Sequence, residues 1–400
     1  MMEQRIVDKV EENRNEIISF VQSVVQIPSV TGDEEKIGHA IYDKMLEYGI
    51  DAEIIEAIPH RPNVVGRYKG AEPGKTLVFN GHMDICAPGP EEEWEFPPYC
   101  GEIRDGILYG RGTVDMKSGT CGGLLAVKAI KDLGIPLKGE VVLTCVCDEE
   151  VGGRYGIRHL LNNGFVKGDF AINCEATNLQ TVDIIHKGIL WIKIDVFGKS
   201  IHGSRPWRGI NAIDKTVKLL VRLEELAAEV NKRTNPYVHP ATLNVGTIEG
   251  GTVTNMIPGK CTITLNRRLV PGETHEQAFA EVLAVCEKLA QEDAEFKYKA
   301  EIDPGVQLPI MNTPEDAPPV LAIRKAHQFV HGKELPLGGK DAGTDASWIV
   351  GLGKMPCPVY GPGDYVNYSL GPNERIPVQD IVDAVKVYAL AIYYLLGAEQ

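Results

Sequence analysis

The sequence predicts an α/β protein: a mainly parallel sheet covered by helices, interrupted by a smaller inserted α+β domain. Three observations carry this expectation. Short β-rich runs at 76–80, 139–147 and 169–173 alternate with helical windows at 119–133 and 155–163, the order of βαβ units. Near residue 180 the pattern changes character, and the earlier kind resumes from about 318. The chain also has 400 residues, more than the roughly 150 of a typical domain, so two or three cores are expected.

Each element has a local reason. Within 4–26, Ile17, Phe20, Val21 and Val24 recur at helical spacing on one stripe, which Pro28 stops. A second helix is predicted at 34–48, before Gly49. In 189–197, Leu190, Ile192, Ile194 and Val196 alternate with Trp191, Lys193 and Asp195, the mark of a half-exposed strand. A helix at 211–230, strands at 241–248 and 260–268, and a helix at 275–291 follow. Thr274 and Gln277 fit a capping box for that last helix, whose stripe is Phe279, Val282, Leu283, Cys286 and Leu289. The predicted division is a catalytic domain at 1–180 and 296–400, with the insertion at 181–295.

Composition narrows the function. With 44% hydrophobic and 24% charged residues the chain is globular, and 41 basic against 55 acidic residues give −14, which repels nucleic acid and an anionic membrane. The same balance suits cations if carboxylates converge, or serves solubility alone. The nine cysteines are odd in number and scattered without C-x-x-C, as in a reducing compartment. Met1-Met2-Glu3 opens into charged sequence, and Lys386 interrupts a C-terminal apolar stretch too short to span a bilayer. The expected location is the cytoplasm.

The chemistry gathers at strand ends. The run from Thr76 ends in His82-Met83-Asp84, and residues two apart in extended chain share a face, so a carboxylate can take the N–H of an imidazole whose other nitrogen holds a metal. Taken alone, the pair also fits a satisfied histidine beside a helix-capping aspartate. Asp115, in a glycine-flanked turn before a helix, fits equally a ligand and an N-cap. The apolar strand Val141 to Cys147 runs into Asp148-Glu149-Glu150, whose adjacent side chains point apart, so one can coordinate a cation while its neighbour faces substrate. Three such charges together require either a metal or a fully exposed loop. Another strand ends just before Glu175. Open α/β sheets place ligands at these ends, and one imidazole with several carboxylates suits zinc, cobalt or manganese.

Through these residues the sequence resembles the zinc-dependent amidohydrolases and exopeptidases that include acetylornithine deacetylase, succinyl-diaminopimelate desuccinylase, aminoacylase and glutamate carboxypeptidase. The matching motifs are Gly81-His82-Met83-Asp84, Gly110-Arg111-Gly112 through Lys117, Glu149-Glu150 with Gly152-Gly153, and Glu175. Further matches are the run from His202 to Ile213, Asn255 before Ile257-Pro258, Arg268 before Pro271-Gly272, and Gly343 to Ala346. The resemblance implies His82 and Glu175 on one metal, Asp115 bridging, Glu150 on a second, Asp84 orienting His82, and Glu149 as general base. It implies that the insertion, a four-stranded sheet with two helices, is a lid that forms a homodimer and delivers His202 to the partner's active site. Asn255 and Arg268 would meet the carbonyl and carboxylate of a small substrate.

One departure stands out. The family's last metal ligand is a His three residues before an Asn-Glu pair, where this chain has Leu370 before Asn373-Glu374, and no His follows His331. The second metal would keep Asp115 and Glu150, with water or an oxygen of Asp364, Asn367 or Asn373. The expectation is therefore one tight zinc, replaceable by cobalt or manganese, and a second that is weak or absent. The implied reaction is hydrolysis of an amide in a small N-acyl amino acid. The alternatives are an exopeptidase or dipeptidase, hydrolysis of a carbamoyl or amine group, and a catalytically weakened ligand-binding homologue.

Overall fold

The structure, a computed structural model, describes residues 1–398, and of 304–306 the backbone alone. Two units emerge: one of 1–184, 311–339 and 344 onward, the other of Ile185–Ile310 with Lys340–Gly343.

The first unit is built on a five-stranded sheet in the order Asp51–Glu56, Pro62–Lys69, Lys138–Val146, Glu72–His82, Phe170–Asn173. The last two pairings are parallel and the first two antiparallel. The sheet is thus mixed rather than mainly parallel in its pairings. The short connection between Asp51–Glu56 and Pro62–Lys69 permits only an antiparallel return, which sets the first of these pairings. The stripe within 4–26 belongs to two helices, Met2–Glu12 and Arg14–Val25, divided at Asn13.

Lys117–Asp132 packs against the sheet through Gly123, where a Cβ would stand 3.1 Å from Phe79. The apolar C-terminal helix Val378–Leu396 is buried against Lys117–Asp132 and Pro318–His331. Its Lys386 pairs with Glu11 and Asp383, each at 2.9 Å. Among the described residues no helix is long and apolar enough to cross a membrane.

The second unit is an antiparallel sheet in the order Thr242–Gly250, Lys260–Leu269, Gly188–Phe197, Lys297–Leu308. Helices Ala212–Val230 and His275–Glu292 supply Leu219, Leu223, Val282 and Cys286 to a core with Leu190, Ile192, Ile194 and Ile263. Thr274 caps the second helix by accepting the Gln277 N–H at 3.2 Å. The boundary expected at residue 295 falls in front of Lys297–Leu308, which pairs with Gly188–Phe197 and carries the unit on to Ile310. Tyr298, Ala300 and Ile302 alternate there with Lys297, Lys299 and Glu301, a strand signal that the division at 295 cuts off.

Candidate metal centre

Parallel register aligns the ends of three strands. His82 stands opposite Val146, and Asn80 opposite Asn173, so His82, the acidic turn after Val146 and Glu175 emerge at one edge. Asp115 comes from the turn that precedes Lys117–Asp132. His82 Nε2 lies 3.2 Å from Asp115 Oδ1 and 3.3 Å from Glu175 Oε1. One donor atom from each of the three buried residues falls within 4.8 Å of the others. Burial alone would lower the His82 pKa, but hydrogen bonds with Asp115 and Glu175 and the charge of Glu149 raise it well above the usual value. An imidazole and two carboxylates crowded away from water, with further acids beside them, form a donor set that a divalent cation fits.

Asp84 has a different task from the one its position suggests. His82 Nδ1 donates to the Asp84 backbone carbonyl at 2.8 Å, while the Asp84 carboxylate is 3.6 Å away. That carboxylate instead accepts from the Thr31 hydroxyl (2.8 Å) and the backbone N–H groups of Glu149 (3.1 Å) and Glu150 (3.3 Å). The main chain of Asp84 therefore orients the imidazole, and its side chain fixes the acidic turn.

The three consecutive acids diverge. Asp148, at φ 71°, accepts from Arg61 at 2.7 Å and from the Tyr155 N–H at 3.0 Å. Glu150 accepts from the Cys86 N–H at 3.1 Å and its thiol at 3.2 Å. Burial, then the charge of Asp115, pushes Glu150 up to about 7. Glu149 is raised well above the ordinary range by burial, against the pull of His82 and with added repulsion from Asp345 and Glu175. Among the described residues Glu150 does not come within 4.8 Å of all three cluster donors.

Several residues of the site have tasks that the sequence reading does not assign. Glu374, fully buried, accepts from Arg111 Nη1 (2.6 Å) and from the N–H groups of Val114 (2.8 Å) and Asp115 (3.0 Å), clamping the turn that presents Asp115. Ser369 Oγ donates to Asp115 Oδ2 at 3.0 Å. Buried Asp345 lies against Gly153, where φ is 68° and a Cβ would stand 3.1 Å from Oδ1. Burial pushes Asp345 up to about 7. Glu374 was within reach of sequence reasoning, since the Asn373-Glu374 pair already marks the missing histidine; Ser369 gives no such signal.

Leu370, at φ 61°, offers only its carbonyl, which Arg111 takes at 2.8 Å. Of the oxygens expected to replace the histidine, those of Asp364 and Asn373 are engaged in local hydrogen bonds. Asp364 accepts the Asn367 N–H (3.1 Å) and side-chain amide (2.7 Å), and Asn373 accepts the Glu95 N–H at 2.5 Å.

The remaining expected site residues lie on the second unit. Exposed His202 and Asn255 are neighbours there, through the Gly203 N–H to Asn255 carbonyl bond of 2.7 Å. The Ser204 N–H donates to His202 Nδ1 at 3.1 Å, so Nδ1 is the acceptor and Nε2 carries the proton of the neutral ring. Arg268 stands half-buried in Lys260–Leu269, opposite Thr242.

The family model for peptidase family M20/M25/M40 matches residues 78–394. The chain belongs to this family. The M20 chain is 29% identical to the N-formyl-4-amino-5-aminomethyl-2-methylpyrimidine deformylase of Bacillus subtilis, covering 95% of this chain and 94% of that one. It is 31% identical to the succinyl-diaminopimelate desuccinylase of Cupriavidus necator, over 68% of this chain and 73% of that one. In fold it is similar to the aminopeptidase PepT from Bacillus cereus, with a TM-score of 0.78 at 21% identity, covering 96% and 99%. This M20 protein is a metallohydrolase of amide C–N bonds, and His82, Asp115 and Glu175 are the residues suited to its metal.

Proposed function

We propose that this M20 hydrolase removes the acyl group from a small N-acyl amino acid, with zinc held by His82, Asp115 and Glu175 and with Glu149 as general base. The observation that carries the reading is the buried three-donor cluster with Glu149 beside it. The identities to a deformylase and a desuccinylase favour an acyl-amine over a peptide, for which the same residues would serve. When bound, the cation polarises the scissile carbonyl and acidifies the attacking water. Glu149 takes a proton from that water as the new C–O bond forms, and returns it to the nitrogen as the C–N bond breaks. Burial keeps its carboxyl avid for a proton. Asp84 holds Glu149 in place through its backbone N–H.

His202 is proposed as a donor to the tetrahedral oxyanion of a partner subunit's site, a role its Nε2 proton suits. Arg268 would grip the substrate carboxylate and Asn255 its carbonyl. A homodimer through the second unit is supported by the exposed edge strand Thr242–Gly250, with Val245 and Ile248 outward, and by exposed Val217 and Val221 one turn apart on Ala212–Val230. The nine unpaired thiols suit the cytoplasm.

A single zinc per subunit is proposed because Ser369 occupies Asp115 Oδ2 and Leu370 offers no ligand. Near-stoichiometric occupancy by two ions, in metal analysis of protein purified without added zinc, overturns that part. The catalytic reading is tested with Glu149→Gln against N-formyl, N-acetyl, N-succinyl and N-carbamoyl amino acids and dipeptides, with zinc, cobalt or manganese supplied. Turnover should fall by about 10²–10⁴-fold with substrate affinity retained. Unchanged turnover removes Glu149 from the mechanism, and absence of turnover on every substrate by the parent protein favours a ligand-binding homologue.

A further inference from the structure

Directly beneath the ligand layer, the same three parallel strands carry a second polar layer. Asn80 stands two residues before His82, and Asn173 two before Glu175. In register Asn80 is flanked by Asn173 on one side and Thr144 on the other, and all three are buried. Core strands of this kind ordinarily carry aliphatic residues here, because a buried amide is costly unless its groups are bonded.

These amides are bonded, and in one direction only. The Glu175 N–H donates to Asn173 Oδ1 at 3.3 Å. Asn173 Nδ2 donates to Asn80 Oδ1 at 2.7 Å, and Asn80 Nδ2 to Thr144 Oγ1 at 3.2 Å. The Thr144 hydroxyl then donates to the Phe79 carbonyl at 3.0 Å. A backbone N–H at the start and a carbonyl at the end fix the orientation of each amide between, since reversing one sets donor against donor. The strand end that bears His82 and the backbone of Glu175 thus share one hydrogen-bonded layer.

We propose that Asn80 and Asn173 are positioning residues that hold His82 and Glu175 at cation-binding separation without touching cation or substrate. The proposal rests on the reading of His82, Asp115 and Glu175 as a cation site. Its consequence is separable from packing: replacing both amides by an apolar pair of similar size keeps the core filled, yet removes the bond that sets Glu175.

The test uses the full chain with the substitutions Asn173→Ala, Asn80→Ala, both together, and the pair Asn80→Leu with Asn173→Leu, beside His82→Ala as control. Each protein is stripped with a chelator, its unfolding is followed without metal, and zinc affinity is measured by competition with a chromophoric chelator. Each alanine substitution should weaken zinc binding by about 10–100-fold, as loss of a partner behind a ligand does. The double substitution should be weakened by less than the product of the two, since the residues share a bond. The leucine pair should also lose affinity while its unfolding midpoint stays near that of the parent. Parental zinc affinity in the leucine pair overturns the positioning role. Failure of the parent to bind zinc any better than His82→Ala overturns instead the cation reading beneath it.

Discussion

Substitution Glu374→Ala separates the turn that carries Asp115 from its anchor, and its cost follows from the contacts. Arg111 is 1% exposed and Glu374 0%, with 2.6 Å between them. Removing one partner of a buried pair leaves an uncompensated charge, at about 3–5 kcal/mol. The N–H groups of Val114 and Asp115 lose their acceptor as well, though water entering the space left by the side chain satisfies part of that demand. Arg111 keeps the Leu370 carbonyl and the face of Trp94, 5.3 Å from its ring centroid. A net loss of about 4 kcal/mol is expected, a large share of the roughly 5–15 kcal/mol that holds a domain together. Glu374→Gln keeps the acceptor for both N–H groups but turns an amide or an uncharged oxygen toward Arg111, so its loss should be smaller. Urea unfolding of the metal-stripped chain, followed by tryptophan fluorescence, measures both. Zinc affinity should fall in the same order, because Glu374 holds the backbone of a ligand. A Glu374→Ala protein within about 1 kcal/mol of the parent would refute the claim that this pair is the anchor.

Two further outcomes are expected. Leu370→His should raise bound zinc from one to two ions per subunit in metal analysis of the purified protein, the histidine tolerating the positive φ of that position; a count that stays at one overturns the assignment of the missing ion to Leu370. His327, buried against His331, with its Nδ1 3.0 Å from the Tyr360 hydroxyl, is lowered to about 4 by burial and by the neighbouring histidine's charge, with Asp383 opposing. The folded state therefore binds fewer protons than the unfolded chain between about 4 and 6.5, so stability is full above that window and falls by about 3 kcal/mol as pH drops through it. Unfolding midpoints of His327→Gln should show a shallower acid slope, and an equal slope would exclude His327 as its source.

The parts of this site that were legible in the sequence are those whose side chains carry unusual chemistry. His82 and Glu175 stand out because charged and imidazole groups at the ends of apolar strands have few structural uses, whereas Asp115, in a turn before a helix, gains its meaning from their company. That His82 and Glu175 meet follows from parallel register, which a period-two pattern predicts only once the strands are known to be neighbours, and Asp115 joins them from the turn before Lys117–Asp132. The hairpin of Asp51–Glu56 and Pro62–Lys69 was hidden because its edge strand alternates acids with small and aliphatic residues, a weak pattern beside the buried strands. Asp84 shows the other limit. Spacing places its side chain on the same face as His82, but a main-chain carbonyl reaches Nδ1 first and frees the carboxylate to hold the acidic turn.

Asn80, Asn173, Ser369 and Glu374 mark a further class, residues whose task exists only in three dimensions. An asparagine inside an apolar strand reads in sequence as a flaw in the pattern, because its cost is local and its compensation comes from strands distant in the chain. The sign of a functional reason is completeness. An incidental buried amide needs only enough bonds to offset its desolvation, whereas the run from Glu175 through Asn173, Asn80 and Thr144 to Phe79 fixes every orientation and begins at the backbone of a ligand. That the layer lies one step below His82 and Glu175 rather than elsewhere in the sheet ties its cost to the chemistry above: the Glu175 backbone and the strand end that bears His82 are joined in one hydrogen-bonded run before any cation arrives.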